Sequence, residues 1–266
     1  MGRFQGDLYA QTLGFTTRLD VIFPEASNDV TPVQFGEPKV LYLLHGLSGS
    51  SGEWTRFSKI EYYAKKYNFT IIMPEVQRSF YCDVPGGPAY FSYVTRELPA
   101  LCERWFRLDA RRENTYIAGE SMGGYGAFKA ALRCPERYAA AASLSGALDY
   151  ALLCRRVLDG EWPDMGPEEL RALHGPGGLP EKEDDLLELV GRAAKDPDRP
   201  RLIQLCGTED FLYEANRNFR RAAAEAGYGL TWREAPGDHE WPYWDKAVQR
   251  ALQFFCGLDL DAAPIY

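Results

Sequence analysis

The segment Gly119-Glu120-Ser121-Met122-Gly123-Gly124 constrains this chain more than any other, because it sets one serine among glycines where an apolar run gives way to a helical pattern. Residues 114–118 (NTYIA) read as a buried strand and residues 125–133 (YGAFKAALR) as a helix. A serine at such a junction sits at the tip of a tight strand-to-helix turn, its hydroxyl held clear of the sheet. Side chains at the flanking positions would collide with the neighbouring strand and helix, so glycine is required on both sides. The helix start beyond Ser121 also presents unpaired N–H groups and a positive dipole end to a developing oxyanion. The pattern is that of a serine nucleophile, and it marks the chain as an enzyme. The plainer alternative is a glycine-rich helix start with a capping serine.

The rest of the chain supplies a setting for such a turn. Residues 7–23 contain two alternating stretches, LYAQTLGF and TRLDVIF, suited to antiparallel edge strands. A loop rich in Pro, Asp and Asn follows and ends at Pro38. The apolar run 39–44 (KVLYLL) is typical of a strand buried on both faces. Strands are further expected at 70–74, 138–145, 201–206 and 230–235, with helices at 92–106, 213–226 and 241–255. Strands alternating with helices imply a mainly parallel central sheet with helices on both faces, in a single domain spanning residues 1–266. One stretch breaks the rhythm. Residues 147–199 far exceed a normal connection and carry Trp162-Pro163, Gly175-Pro176-Gly177-Gly178 and helical pieces at 167–174 and 181–194. This insertion is expected to form a small helical cap, because ligands bind beyond the C-terminal ends of parallel strands, where it emerges.

A serine hydroxyl needs a base to take its proton as it attacks. Of three histidines, His45 comes too early for the Ser…Asp/Glu…His order of this architecture. His174 falls in the insertion and reads as a solvated residue. His239 follows the last strand, in PGDHEW, at the mouth of the final helix, where a loop can swing its imidazole over the nucleophile turn. The base in turn needs a carboxylate to hold its tautomer. Asp210 in GTEDFL, after a buried strand, is the first choice and Glu209 its rival; Asp238 and Glu240 adjoin His239 too closely to reach its Nδ1. The oxyanion requires two N–H donors. The amide of Met122 is one, and that of Leu47, in the glycine loop HGLSG, is the other.

Composition excludes several other classes. The chain of 266 residues carries a net charge of −8, and no basic stripe suits it to nucleic acid. No stretch approaches a membrane span, and the first residues lack the apolar core of a signal peptide. Six scattered cysteines without a C-x-x-C pair read as reduced thiols, in keeping with a cytoplasmic location. No histidine has a ligand-spaced partner, so no metal is expected. The sequence leaves homo-oligomerisation open.

With these pieces assembled, the chain resembles the α/β-hydrolases of the esterase D group, within it the tributyrin esterases and related cinnamoyl (feruloyl) esterases. The matching segments are LYLLHGLSGSSGEW (41–54), TIIMPE (70–75), ELPALCERWF (97–106), GESMGGYGAFKAAL (119–132), CGTEDFLY (206–213) and GDHEWPYWD (237–245). Carried across by these motifs, the resemblance implies a triad of Ser121, Asp210 and His239, chooses Asp210 over Glu209, and gives the oxyanion hole to the Leu47 and Met122 amides. It implies hydrolysis of short-chain acyl or hydroxycinnamoyl esters through an acyl-enzyme, without a cofactor, on a small-molecule substrate. S-Formylglutathione hydrolases and carbohydrate acetyl esterases are relatives and supply the alternative substrates. Aromatic residues at the catalytic mouth, Trp162, Tyr125 and Trp241, are expected to contact the substrate. The pairs Phe80-Tyr81 and Tyr90-Phe91 lie in a glycine- and proline-bearing loop that is a further candidate.

Overall fold

The computed structural model describes residues 1–25 and 36–262. Part of the loop expected before Pro38, residues 26–35, lies outside the described residues. The two alternating N-terminal stretches form β1 (Gly2–Ala10) and β2 (Phe15–Phe23), paired antiparallel from Gly2↔Phe23 to Ala10↔Phe15. Strand β2 then pairs antiparallel with β4 (Phe69–Pro74). The remaining strands, β3 (Lys39–Leu44), β5 (Thr115–Glu120), β6 (Ala140–Leu144), β7 (Arg201–Gly207) and β8 (Leu230–Ala235), run parallel. The eight-stranded order is β1-β2-β4-β3-β5-β6-β7-β8. With its helices this is the mainly parallel sheet expected from the alternating pattern, in the α/β-hydrolase fold that the resemblance implies.

Alternation along each strand divides the core between the two sheet faces. Val40, Tyr42 and Leu44 of β3 point to one face, and Leu41 and Leu43 to the other. The first face is covered by α3 (Tyr90–Ser92), α4 (Leu98–Phe106), α5 (Met122–Arg133) and α9 (Tyr213–Glu225). The second carries α1 (Glu53–Phe57), α2 (Ile60–Tyr67) and the C-terminal α10 (Trp241–Phe255). The central strands β5 and β6 are therefore buried throughout, whereas β8, at the sheet edge, is partly to fully exposed.

Between β6 and β7 the insertion folds into α6 (Tyr150–Leu158), α7 (Pro167–His174) and α8 (Leu186–Ala193). Asp149 and Asp185 cap α6 and α8 through side-chain bonds to the Leu152 and Leu187 amides, 3.1 and 2.9 Å long. The helix expected over 92–106 is not uniform. Residues Tyr93–Glu97 form a π-helical turn before α4. Pro99 at the start of α4 has no N–H to give the preceding turn, and a wider turn accommodates its ring. Among the described residues, no helix is long and apolar enough to cross a membrane.

Candidate active site

Ser121 joins β5 to α5 with φ 53° and ψ −121°, a backbone conformation rarely adopted by residues with a side chain. The surrounding glycines make that turn feasible. A methyl group on Gly119 would come within 2.4 Å of the Gly123 backbone, and one on Gly123 within 2.6 Å of the Leu44 carbonyl oxygen. The turn is held from below: the Ser121 N–H donates to the Leu144 carbonyl (2.9 Å), and the Ser121 carbonyl accepts from the Ala147 amide (3.2 Å).

Two loops from the C-terminal ends of β7 and β8 complete a hydrogen-bonded line. His239 Nε2 lies 3.0 Å from Ser121 Oγ, and its Nδ1 lies 3.0 Å from both carboxylate oxygens of Asp210. A carboxylate only accepts, so Nδ1 bears the proton and Nε2 is free to accept from the serine hydroxyl. Asp210 is buried, and its Oδ1 also accepts the Leu212 amide at 2.8 Å, which fixes the carboxylate plane. Glu209 does other work. Its carboxylate accepts the Gly237 N–H at 2.5 Å and ties the β7 loop to the loop that carries His239. Asp238 accepts the His239 backbone N–H at 2.7 Å. The imidazole is wedged between Phe211 (ring centroids 4.3 Å apart) and Trp244 (4.9 Å, interplanar 90°).

Two cavities meet at Ser121. On one side a narrow apolar chamber, with only about 30 Å³ open to a water-sized sphere, is walled by Phe80, Tyr150, Trp162, Met165 and Leu170 among others. On the other an open cleft of about 460 Å³ is lined by Glu53, Arg78, Asp164, Glu240, Trp241 and Trp244, together with Ser121 and His239. Leu47 and Trp162 border both. The loop that carries Leu47 turns back through a Gly49 N–H to Gly46 carbonyl bond of 3.1 Å. His45 anchors its base. The ring Nδ1 donates to the Gly46 carbonyl (2.8 Å), Nε2 accepts the Val76 amide (3.1 Å), and Tyr81 donates its hydroxyl to the His45 carbonyl (2.9 Å). Met122 is buried at the first turn of α5.

Glu120, the residue before Ser121, is 2% exposed and packs so tightly on Gly46 that a methyl there would lie 2.5 Å from its Oε2. Loss of hydration, reinforced by Glu53, holds its carboxyl well above the usual carboxylate range. A charge-bearing residue at the end of an otherwise apolar strand was the sequence signal for it. Arg78 clamps the insertion to the main body: Nε lies 2.6 Å and Nη2 3.1 Å from the two Glu169 oxygens, and Nη2 also donates to the Asp164 carbonyl. No pattern in the sequence singles out Arg78; Phe211 and Trp244 fall within the matching segments 206–213 and 237–245, where nothing marks them as ring partners of His239.

Of the expected substrate contacts, Trp162 and Trp241 line the cleft. Trp162 meets Phe211 edge-on at 5.1 Å, and Trp241 stacks edge-on against Trp54 and Trp244 at 5.1 and 5.2 Å. Tyr125 does not reach either cavity. It is fully buried, donates its hydroxyl to the Asp184 carbonyl (2.7 Å), and supports Tyr150 from behind with ring centroids 4.7 Å apart. Of the two aromatic pairs in the 80–91 loop, only Phe80 forms part of a cavity wall near Ser121.

His174, read from sequence as solvated, is instead half-buried and hydrogen-bonded to the Tyr150 hydroxyl at 2.9 Å. Desolvation brings its pKa down to about 4. Folding also gives it unforeseen neighbours, since its ring nitrogen, Cys82 Sγ and a carboxylate oxygen of Asp184 lie within 4.8 Å of one another. The protein supplies its own cation there: Lys129 Nζ is 2.7 Å from Asp184 and 3.1 Å from Cys82.

The profile of the family described as "Esterase: Putative esterase" matches residues 11–255. Among solved structures, the fluorophosphonate-binding serine hydrolase F of Staphylococcus aureus superposes with a TM-score of 0.82 at 32% identity, over 96% of this chain and 98% of that one. An S-formylglutathione hydrolase from the same organism gives a TM-score of 0.81 at 32% identity, with the same coverage. A protein named acetyl esterase from Caldicellulosiruptor saccharolyticus is 27% identical over 260 residues, 96% of this chain and 98% of its own length. The chain belongs to this esterase family and is a carboxylic ester hydrolase built on the α/β-hydrolase fold.

Proposed function

We propose that the protein hydrolyses esters of short acyl chains through an acyl-enzyme on Ser121. The observation that carries this reading is the unbroken line from Ser121 Oγ through His239 to Asp210, opening directly beside a small apolar chamber. As Ser121 Oγ attacks the ester carbonyl, His239 Nε2 takes its proton, and Asp210 stabilises the imidazolium. The resulting oxyanion faces the Met122 and Leu47 amides, the latter on a loop made rigid by His45, Tyr81 and Glu120. His239 returns the proton to the departing alcohol. It then activates water, whose attack frees the acid and restores the serine.

The two cavities divide the substrate. The acyl chain enters the narrow chamber, and the alcohol leaves through the open cleft. Helices α6 and α7 of the insertion supply chamber walls, which supports reading the insertion as a cap. A chamber of about 30 Å³ suits an acetyl or slightly longer chain. A hydroxycinnamoyl ring exceeds it and would have to lie among the tryptophans of the cleft, so the short-chain reading is the stronger. Thioester hydrolysis is the second reading, favoured by the S-formylglutathione hydrolase relative. A cytoplasmic location is part of this reading, supported by the six free cysteines. In a test with p-nitrophenyl acetate, Ser121→Ala is expected to abolish turnover while the fold persists; undiminished turnover would reject the reading.

A further inference from the structure

If the acyl chain occupies the chamber, as the reading above requires, the leaving group must sit in the open cleft, and the chemistry of its walls selects that group. The carboxylates of Glu53, Asp164 and Glu240 border the cleft, the last two exposed at its rim. Arg78 is the cation among the lining residues, and its guanidinium is already engaged by both oxygens of Glu169 and by the Asp164 carbonyl. The uncompensated charge is thus negative, on a chain whose net charge is −8. A cleft with low-dielectric walls of Trp241 and Trp244 concentrates that field rather than dispersing it. A second, independent feature concerns hydrogen bonding. Trp244 is 7% exposed and borders the cleft, yet its indole N–H has no hydrogen-bond partner among the described residues. It is a buried donor that an oxygen acceptor would satisfy, and the carboxylates bordering the cleft are acceptors matched to hydroxyl or ammonium donors.

We infer that the cleft is a charge filter, which accepts alcohols and thiols that are neutral or cationic, hydroxyl-bearing ones above all, and rejects leaving groups that carry net negative charge. Glu53, beside the Leu47 loop, and the rim pair Asp164 and Glu240 are the residues that set it. Glutathione, with two carboxylates against one ammonium, falls on the rejected side. The filter thus separates the two substrate readings on physical grounds.

Three thioacetates that differ in charge at matched bulk test this, with the released thiol read by a colorimetric thiol reagent: S-acetylthiocholine, its neutral 3,3-dimethylbutyl isostere and the anionic 3-sulfonatopropyl ester. Partial burial raises the Glu53 carboxyl above its ordinary value, so the assay is run on the alkaline side, at about pH 8.

 At low ionic strength, kcat/KM for the sulfonate is expected to fall about tenfold below that of the neutral isostere, the effect of roughly one charge a few ångströms away in a half-exposed site. About 0.5 M salt should narrow the gap. Glu53→Gln should narrow it as well. Because that change adjoins the Leu47 loop, the double variant Asp164→Asn/Glu240→Gln, at the exposed rim, provides the second reading and should shift the same ratio about threefold. Equal turnover of sulfonate and neutral ester by the native protein overturns the filter, as does a gap that neither salt nor the rim variant changes. If p-nitrophenyl acetate and all three thioacetates are left intact, the esterase reading itself has failed. Hydrolysis of the neutral esters without charge discrimination removes the filter alone.

Discussion

The two cavities that meet at Ser121 differ in almost every physical respect. The chamber is narrow and apolar, and much of its wall comes from the insertion; the cleft is wide, acidic and edged with tryptophan. A close-fitting apolar wall discriminates by volume, because an added methylene either fits or forces packed side chains apart. An open polar wall has no such limit and discriminates by charge and hydrogen bonding. One ester hydrolase can therefore be strict about its acid and permissive about its alcohol, with the two preferences set by different residues.

Substitutions can break or sharpen this contrast. The largest effect is expected at the point the cavities share: Ser121→Ala should lower kcat for p-nitrophenyl acetate by about 10⁴-fold or more, with thermal stability retained. Trp162 stands between the cavities and borders both. Trp162→Ala should merge them, so that the ratio of kcat/KM for octanoate over acetate p-nitrophenyl esters rises about tenfold. An unchanged ratio would mean that the chamber does not hold the acyl chain.

Arg78 acts at one remove. Its grip on Glu169 and the Asp164 carbonyl fixes the stretch that bears Met165 and Leu170, both chamber walls. Arg78→Gln should shift the same chain-length ratio in the same direction by about threefold, and the exchange Arg78→Glu/Glu169→Arg should restore part of it.

The smallest effect concerns stability. His174 has a pKa of about 4 in the folded chain against an ordinary 6.5, so the unfolded chain binds more protons between those values. Its contribution to stability is complete above about pH 6.5 and is lost as pH falls toward 4. Discounted for partial solvent screening, the loss is about 1–2 kcal/mol. His174→Gln should show a correspondingly smaller fall of Tm than the native protein over that window, as measured by calorimetry.

The sequence makes the nucleophile turn legible because its demands are local. Gly119 and Gly123 answer to atoms a few residues away or on the adjoining strand, and the serine between them is exposed by backbone geometry alone. The same holds for Asp210 and His239, each in a short loop at the end of a parallel strand. Tyr125 shows the limit of such reading. It lies only four residues past Ser121, yet its place on α5 turns it into the core behind Tyr150, and nearness in sequence is not nearness to the cavity. His174 was misread for a related reason. Polarity in a long insertion suggests solvent, but α7 packs it against Tyr150 and the Lys129–Asp184 pair. Arg78 reaches the site through long-range packing, which leaves no periodic or motif signal in the chain; Phe211 and Trp244 lie beside Asp210 and His239 inside matching segments, but only the fold turns their rings onto the imidazole.

The division of the substrate at Ser121 is tested most directly by covalent trapping with a pair of alkylphosphonate p-nitrophenyl esters, one ethyl and one octyl, followed by peptide mass mapping of the adduct. A single adduct on Ser121, formed about tenfold faster by the ethyl reagent, is the expected result. A folded protein labelled at another residue, or labelled at Ser121 equally fast by both reagents, would contradict it.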